Sequence, residues 1–197
     1  MNRLLAGGAL AVFIAAMAVI ALTNVGSDGG ETAATTTVAT TRAVTRPRRP
    51  APPPKPARIK LVAVGPYDPP PGDGTENDAE VANAVDGDAT TFWSTEHYTH
   101  GFFKPGVGIV LDAGKRRRIT RVLVATDEAG SRAEIQLADR PTGPYRVVSA
   151  DKALEGTTAF PLKARAAGRY VLVWVTALSS STGEAHLNEV RALARST

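Results

Sequence analysis

Val85-Asp86-Gly87-Asp88-Ala89-Thr90-Thr91-Phe92-Trp93-Ser94-Thr95-Glu96-His97-Tyr98 is the stretch around which the chain is organised. Asp86-Gly87 sets a reversal in which glycine supplies a positive φ, and Asp88, Thr90 and Thr91 aim oxygens back at it. Phe92 and Trp93 are then expected to drop into an apolar interior. A loop anchored by an indole with its oxygens turned inward is either a self-satisfied polar turn or a small cage for a hard cation.

Working upstream, Asn77-Asp78-Ala79-Glu80 matches a capping box, with Asn77 as N-cap and Glu80 three residues on. Val81, Ala84 and Val85 share one face, so a short helix is predicted to end at Gly87. Tyr67 to Gly74 (YDPPPGDG) holds three successive prolines and reads as a surface loop. Ile59 to Val64 is the first predicted strand.

Downstream, seven further apolar or alternating runs read as strands: 107–111, 119–126, 133–138, 145–148, 157–162, 170–177 and 187–193. In Ala133-Glu134-Ile135-Gln136-Leu137 the polar positions alternate, which puts one face toward solvent. Tyr170 to Val175 does not alternate, which marks a central strand covered on both sides. Lys115-Arg116-Arg117-Arg118 lies between two strands and is read as a solvated hairpin turn. Eight short strands without a long helix predict an all-β fold, a two-sheet antiparallel sandwich.

The 197 residues divide by composition. Residues 1–3 form a stub. Leu4 to Leu22 carries no charge, and nineteen residues at about 1.5 Å each span roughly 28 Å, near the hydrocarbon thickness of a bilayer. We therefore expect a single-pass signal anchor over 4–23 in the plasma membrane. Arg3 before it, and Asp28 and Glu31 after it, keep the amino terminus inside and the remainder on the extracellular side. A cleaved signal peptide is the other reading, since Ala21 and Thr23 are small enough for a peptidase site.

Residues 24–58 are rich in threonine, proline and arginine with few large apolar side chains, as a disordered linker would be. Arg46 to Pro56 (RPRRPAPPPKP) favours polyproline II. The linker has six cations against two acids, whereas from residue 59 onward sixteen cations face seventeen acids. The basic character thus belongs to the tether, not to the domain over 59–195. A basic strip beside a bilayer attracts anionic headgroups or wall polymers. Nucleic acid is not expected, because the strip lacks aromatics for base stacking. Cysteine is absent, which excludes disulfides, thiolate metal sites and cysteine nucleophiles.

Three segments in order resemble the discoidin, or coagulation-factor type C, family of galactose-binding-like jelly rolls. They are Ala82 to Ser94, with its Asp-Gly-Asp turn followed by threonine and tryptophan; Gly108-Ile109-Val110-Leu111-Asp112-Ala113-Gly114 with Ile119-Thr120-Arg121-Val122; and Gly168 to Val173 with Leu187-Asn188-Glu189-Val190-Arg191-Ala192-Leu193. The wider form resembles exported tails of actinobacterial envelope proteins. The resemblance implies a jelly roll and a structural calcium ion, mapped by motif onto Asp86, Asp88, Thr91 and Glu189. Calcium accepts six to eight hard oxygen ligands in irregular geometry, which suits such a set. The alternative is that these residues only close Asx turns and a solvated strand position. An EF-hand is excluded, since its sixth and twelfth positions would be Thr91 and His97.

The candidate ligand-binding loop follows the turn directly: Glu96-His97-Tyr98-Thr99-His100-Gly101-Phe102-Phe103-Lys104. Sugars are held by an aromatic platform plus a few donors and acceptors, and His97, Tyr98, His100, Phe102 and Lys104 supply those types. Packing of Phe102 and Phe103 into the core is the competing expectation. A zinc site from His97, His100 and His186 is disfavoured by spacing. Ser149-Ala150-Asp151-Lys152 matches S-x-x-K but lacks the companion motifs, and no other nucleophile or acid/base constellation is present. The sequence thus points to a membrane-tethered, non-enzymatic module binding carbohydrate or cell-wall polymer, with a protein-interaction domain of an envelope complex as the alternative.

Overall fold

The structure is a computed structural model and describes residues 55–195. The stub, the expected membrane span over 4–23 and residues 24–54 of the expected linker lie outside the described residues. Among the described residues no helix is long and apolar enough to cross a membrane.

Twelve strands follow in chain order: β1 (Pro56–Ile59), β2 (Val62–Tyr67), β3 (Trp93–Ser94), β4 (Val107–Arg118), β5 (Arg121–Ala125), β6 (Arg132–Ala138), β7 (Arg146–Val147), β8 (Lys152–Ala153), β9 (Thr157–Pro161), β10 (Ala167–Ala177), β11 (His186–Leu187) and β12 (Glu189–Arg195). One sheet has the order β1-β12-β5-β9, and a second has β2-β4-β10-β6-β7 with β8 also paired to β6. A third, two-stranded sheet joins β11 to β3. Every pairing is antiparallel. The all-β antiparallel sandwich expected from the strand pattern is the fold observed.

The core lies between the two large sheets. Ile109, Leu111, Ile135, Leu137, Val171, Val173 and Val175 enter it from one side, and Val122, Phe160, Val190 and Ala192 from the other. Alternation along β10 turns Tyr170, Leu172 and Trp174 to the opposite face, where they pack with Val110, Tyr67 and Tyr145. Hence β10 is apolar at every position from Tyr170 to Val175, as the lack of alternation there implies.

Several boundaries differ from those expected. β1 opens at Pro56, inside the stretch assigned to the linker. It is an edge strand, so its first residue tolerates the missing N–H of proline. The run Lys115 to Arg118 is no hairpin turn: β4 continues through it, with Arg117 opposite Gly168 and Arg118 opposite Ala167. All four side chains are exposed, so this part of the strand has no apolar face for periodicity to detect. Gly114 at φ 77° and a bulge between Gly168 and Tyr170 bend the ladder there.

The helix over Asp78–Val85 is 3-10, and its capping box does not form. Asn77 sits in the left-handed region at φ 46° and caps nothing with its side chain. Its Nδ2 instead donates to the Ser94 carbonyl at 3.2 Å and the Ser94 hydroxyl at 3.1 Å. The Glu80 carboxylate accepts from the Ser94 N–H at 3.2 Å rather than reaching back. Both polar side chains therefore fasten the helix to β3, a tertiary use that competes with the local cap.

Candidate functional site

The loops 95–106 and 178–185 meet at one end of the sandwich because β3 and β11 pair and the backbone extends their ladder. Thr95 N–H donates to the Ala185 carbonyl at 3.0 Å and Tyr98 N–H to Gly183 at 3.0 Å, while Ser179 N–H to Glu184 at 3.1 Å closes the second loop on itself. Gly183 is at φ 73°, and a Cβ there would lie 2.8 Å from the Tyr98 carbonyl. Only glycine permits this approach.

Between these loops opens a cleft of about 640 Å³. All five residues of the expected ligand-binding set, His97, Tyr98, His100, Phe102 and Lys104, border it. The opposite wall is a run of hydroxyls, Thr176 and Ser179 to Thr182. His97 and His100 are exposed and Phe102 is half-buried, with Tyr98 edge-on to Phe102 at 4.9 Å.

Tyr98 and Lys104 play a different part from the one expected. Each is only 8 % exposed. Lys104 Nζ lies 2.6 Å from Asp68 Oδ1 and 3.1 Å from Glu76 Oε1. The Tyr98 hydroxyl donates to Glu76 Oε1, the Glu96 N–H donates to Glu76 Oε2 at 2.7 Å, and Trp93 Nε1 donates to the Glu76 carbonyl at 2.8 Å. One glutamate thus ties the indole anchor, the phenol and the ammonium together. Burial pushes the Tyr98 hydroxyl well above its ordinary range, and its bond to Glu76 adds to this. Burial alone would lower the Lys104 pKa, but the bonds to Asp68, Tyr98 and Glu76 outweigh it and hold the ammonium charged. Tyr98 and Lys104 are the floor of the cleft, and Phe103, 73 % exposed, is the open ring of the loop.

The Asp86 turn stands beside β12. Asp88 N–H donates to Asp86 Oδ1 at 2.8 Å, and the Thr91 hydroxyl donates to Asp86 Oδ2 at 2.8 Å and to the Asp88 carbonyl at 3.1 Å. The Asp88 carboxylate accepts from the Thr90 hydroxyl and N–H, which hold its pKa below the usual range. Glu189 is 7 % exposed, borders the same depression as Asp86 and Gly87, and leaves Oε2 without a hydrogen-bond partner. Among the described residues no three His, Asp or Glu side chains cluster tightly enough to hold a metal by themselves. An ion at this turn would rest on hydroxyl and main-chain oxygens as well. The donor chemistry fits calcium: hard oxygens, plus a buried carboxylate oxygen that the fold leaves unsatisfied.

No protein-family model matches the chain. Among solved structures, the chain is similar to the family 32 carbohydrate-binding module of Clostridium perfringens NanJ in complex with galactose, at 15 % identity and TM-score 0.52, covering 71 % of this chain and 99 % of that one. It is similar to the family 32 module of AlyQ in complex with 4,5-unsaturated mannuronic acid, at 20 % identity and TM-score 0.50, covering 71 % and 97 %. The fold is that of a family 32 carbohydrate-binding module. The discoidin-like, galactose-binding-like sandwich implied by the sequence resemblance is thereby shown. The chain is also similar to part of a family 89 glycoside hydrolase from Clostridium perfringens in complex with PUGNAc, at 15 % identity and TM-score 0.51, and it spans 15 % of the length of that enzyme.

Within this discoidin-like sandwich, sequence reasoning missed two groups. Asp68 and Glu76 lie in a Pro/Gly-rich stretch that reads as surface, and their burial depends on Lys104, which is remote in sequence. His186 stands just before the strand predicted over 187–193, yet β11 sets it opposite Ser94. Its Nδ1 is 2.9 Å from Asp127 Oδ1, and its Nε2 is 3.5 Å from Glu128 and 3.6 Å from Glu184. Phe92 does not enter the core with Trp93. It is half-buried and stacks on the His186 ring at 4.1 Å.

Proposed function

We propose that the domain is a non-catalytic carbohydrate-binding module that takes a sugar or cell-wall polymer in the cleft between loops 95–106 and 178–185. The observation that carries this reading is the cleft's make-up: a concave surface walled by hydroxyls and two exposed imidazoles, with aromatic residues on one side. Sugar recognition asks for that combination, an apolar ring face beside convergent donors and acceptors. A protein-docking surface would instead show a contiguous apolar patch, and of the exposed large apolar residues only Val62 and Val64 share an element, β2, while Phe103 lies in the 95–106 loop and Val147 in β7. The solved complexes with galactose and with an unsaturated mannuronic acid support a carbohydrate partner in general terms.

In this reading His97 and His100 hydrogen-bond to sugar hydroxyls, Phe102 and Phe103 offer ring faces, and Tyr98 and Lys104 hold the loop rigid from below. Asp86, Asp88, Thr91 and Glu189 hold a structural calcium ion that stiffens the turn before Trp93. The segment 4–23 anchors the module in the plasma membrane and the linker carries it outward into the envelope.

The test is retention of the full chain on glycan and wall-fragment arrays, with and without calcium. Binding that is lost in His100→Ala and Phe103→Ala, both exposed and so harmless to the core, supports the assignment. Uniform blanks transfer the reading to a protein partner.

A further inference from the structure

At the other end of the sandwich a second cleft, of about 290 Å³, lies between the β4–β5 corner, the 162–165 turn and the end of β12. β4, 12 residues long and bent at Gly114, runs from one end to the other. Four of the eight residues that line the second cleft are cations, Arg118, Lys163, Arg165 and Arg195, and none is acidic. All four are exposed. Lys163 Nζ donates to the Val147 carbonyl at 3.1 Å. The guanidinium groups of Arg118, Arg165 and Arg195 form no ion pair or hydrogen bond among the described residues.

This grouping is set by pairing and is not the drift of long side chains. Arg118 faces Ala167 in register, Thr120 N–H donates to the Leu193 carbonyl at 2.8 Å, and Leu162 N–H donates to Thr120 at 3.0 Å. The backbone therefore brings β4, β9, β10 and β12 together at one corner. The buried Ile119, 1 % exposed, closes its base.

Arg165 adds an independent sign. It occupies the left-handed region at φ 69°, third in a turn closed by Ala166 N–H donating to the Lys163 carbonyl at 3.0 Å. Glycine or asparagine suits that position, and a long side chain there costs stability. A strained arginine beside three other cations works against folding twice, through backbone conformation and through like-charge repulsion. Both costs are offset when an anion occupies the cleft.

We infer that this cleft binds a phosphate ester. Three guanidiniums and an ammonium present more donors than the two oxygens of a carboxylate can accept, whereas the three free oxygens of a phosphate monoester match planar guanidinium forks. The cleft's size accommodates the phosphate with a small alcohol attached. The same chemistry is available from a lipid headgroup or from a free sugar or glycerol phosphate. The first source is favoured by position and rests on the proposed membrane anchor: β1 opens at Pro56, which pairs in register with Arg195 on the rim. This inference is independent of the sugar reading, since it concerns the other end of the sandwich.

The test uses the full chain in neutral detergent and in nanodiscs, with amide resonances of Ile119, Thr120, Ala164 and Ala166 as reporters. Glycerol 1-phosphate in detergent is expected to move these signals where sodium chloride of equal ionic strength does not. Nanodiscs of phosphatidylglycerol are expected to move them without added ligand, and phosphatidylcholine nanodiscs are not. A response to glycerol phosphate alone assigns the free ester as the ligand, and a response to the anionic bilayer assigns the headgroup. Arg165→Gly is expected to raise the Tm while weakening glycerol phosphate about tenfold, the loss of one strong charge-assisted contact. Signals that stay still in both media, or an undiminished affinity in Arg118→Gln/Arg195→Gln, overturn the inference.

Discussion

Lys104 and Asp68 face each other at 2.6 Å, with side chains 3 % and 0 % exposed, 36 residues apart in sequence. The pair closes the proline-rich loop after β2 onto the segment that enters β4, under the cleft. Breaking such a pair from one side leaves a buried charge uncompensated. Lys104→Met is therefore expected to lower stability by about 3–5 kcal/mol in urea unfolding. Removing the carboxylates as well, in Lys104→Met/Asp68→Asn/Glu76→Gln, should recover part of that loss. An exposed lysine would cost under about 1 kcal/mol, so a small effect would refute the buried pairing.

The same network predicts a response to alkali. Both Lys104 and Tyr98 titrate higher in the folded chain than their ordinary values of 10.5 and 10.0. The native state then holds protons that the unfolded state has released, so stability falls as pH rises. The contribution is complete below about pH 10 and declines progressively above it. Unfolding midpoints measured across that range should fall, and Lys104→Met should flatten the decline.

Gly183→Ala is expected to widen the junction of the two loops, because its Cβ would meet the Tyr98 carbonyl at 2.8 Å and the residue must keep φ 73°. A loss of about 1–2 kcal/mol follows from the conformation alone. In array binding the variant should lose retention together with His100→Ala. Retention at the parent level would show that the cleft does not need the loops so close.

Calcium in excess should raise the Tm of the chain relative to chelator. At about 100 times Kd, an ion that binds only the native state adds about 2.7 kcal/mol. Glu189→Gln should abolish the shift, since the orphaned Oε2 is the buried oxygen that the ion would satisfy. Identical midpoints with calcium and with chelator refute the ion, and the turn then stands on its Asx bonds alone.

Trp93→Phe is expected to cost about 1–3 kcal/mol, because a phenyl ring leaves the Glu76 carbonyl without its 2.8 Å donor in a fully buried site. Loss of near-ultraviolet signal from the second tryptophan, Trp174, should not accompany it, since that indole belongs to the other apolar cluster.

What could be read in the sequence was whatever repeats along the chain. The unbroken apolar run of β10 declared a strand with two covered faces, and the Asp86 reversal declared itself by residue type. Contacts made between distant segments were illegible. Asp68 and Glu76 look like loop acids until Lys104 is brought beneath them, and Asn77 and Glu80 look like a cap until Ser94 competes for both. Lys115 to Arg118 failed differently: a strand with no buried side carries no periodicity, so its place in β4 rests on pairing to Ala167 and Gly168 alone.

The register of β1 on β12, from Pro56 opposite Arg195 to Ile59 opposite Ala192, bears on mechanics. A pull on the chain at Pro56 directed along β1 runs along the strand axis. The rungs of that short ladder are then loaded together, in shear, and do not open one by one. Four residues at a sheet edge thereby resist tension along the strand, and give way readily only to force applied sideways.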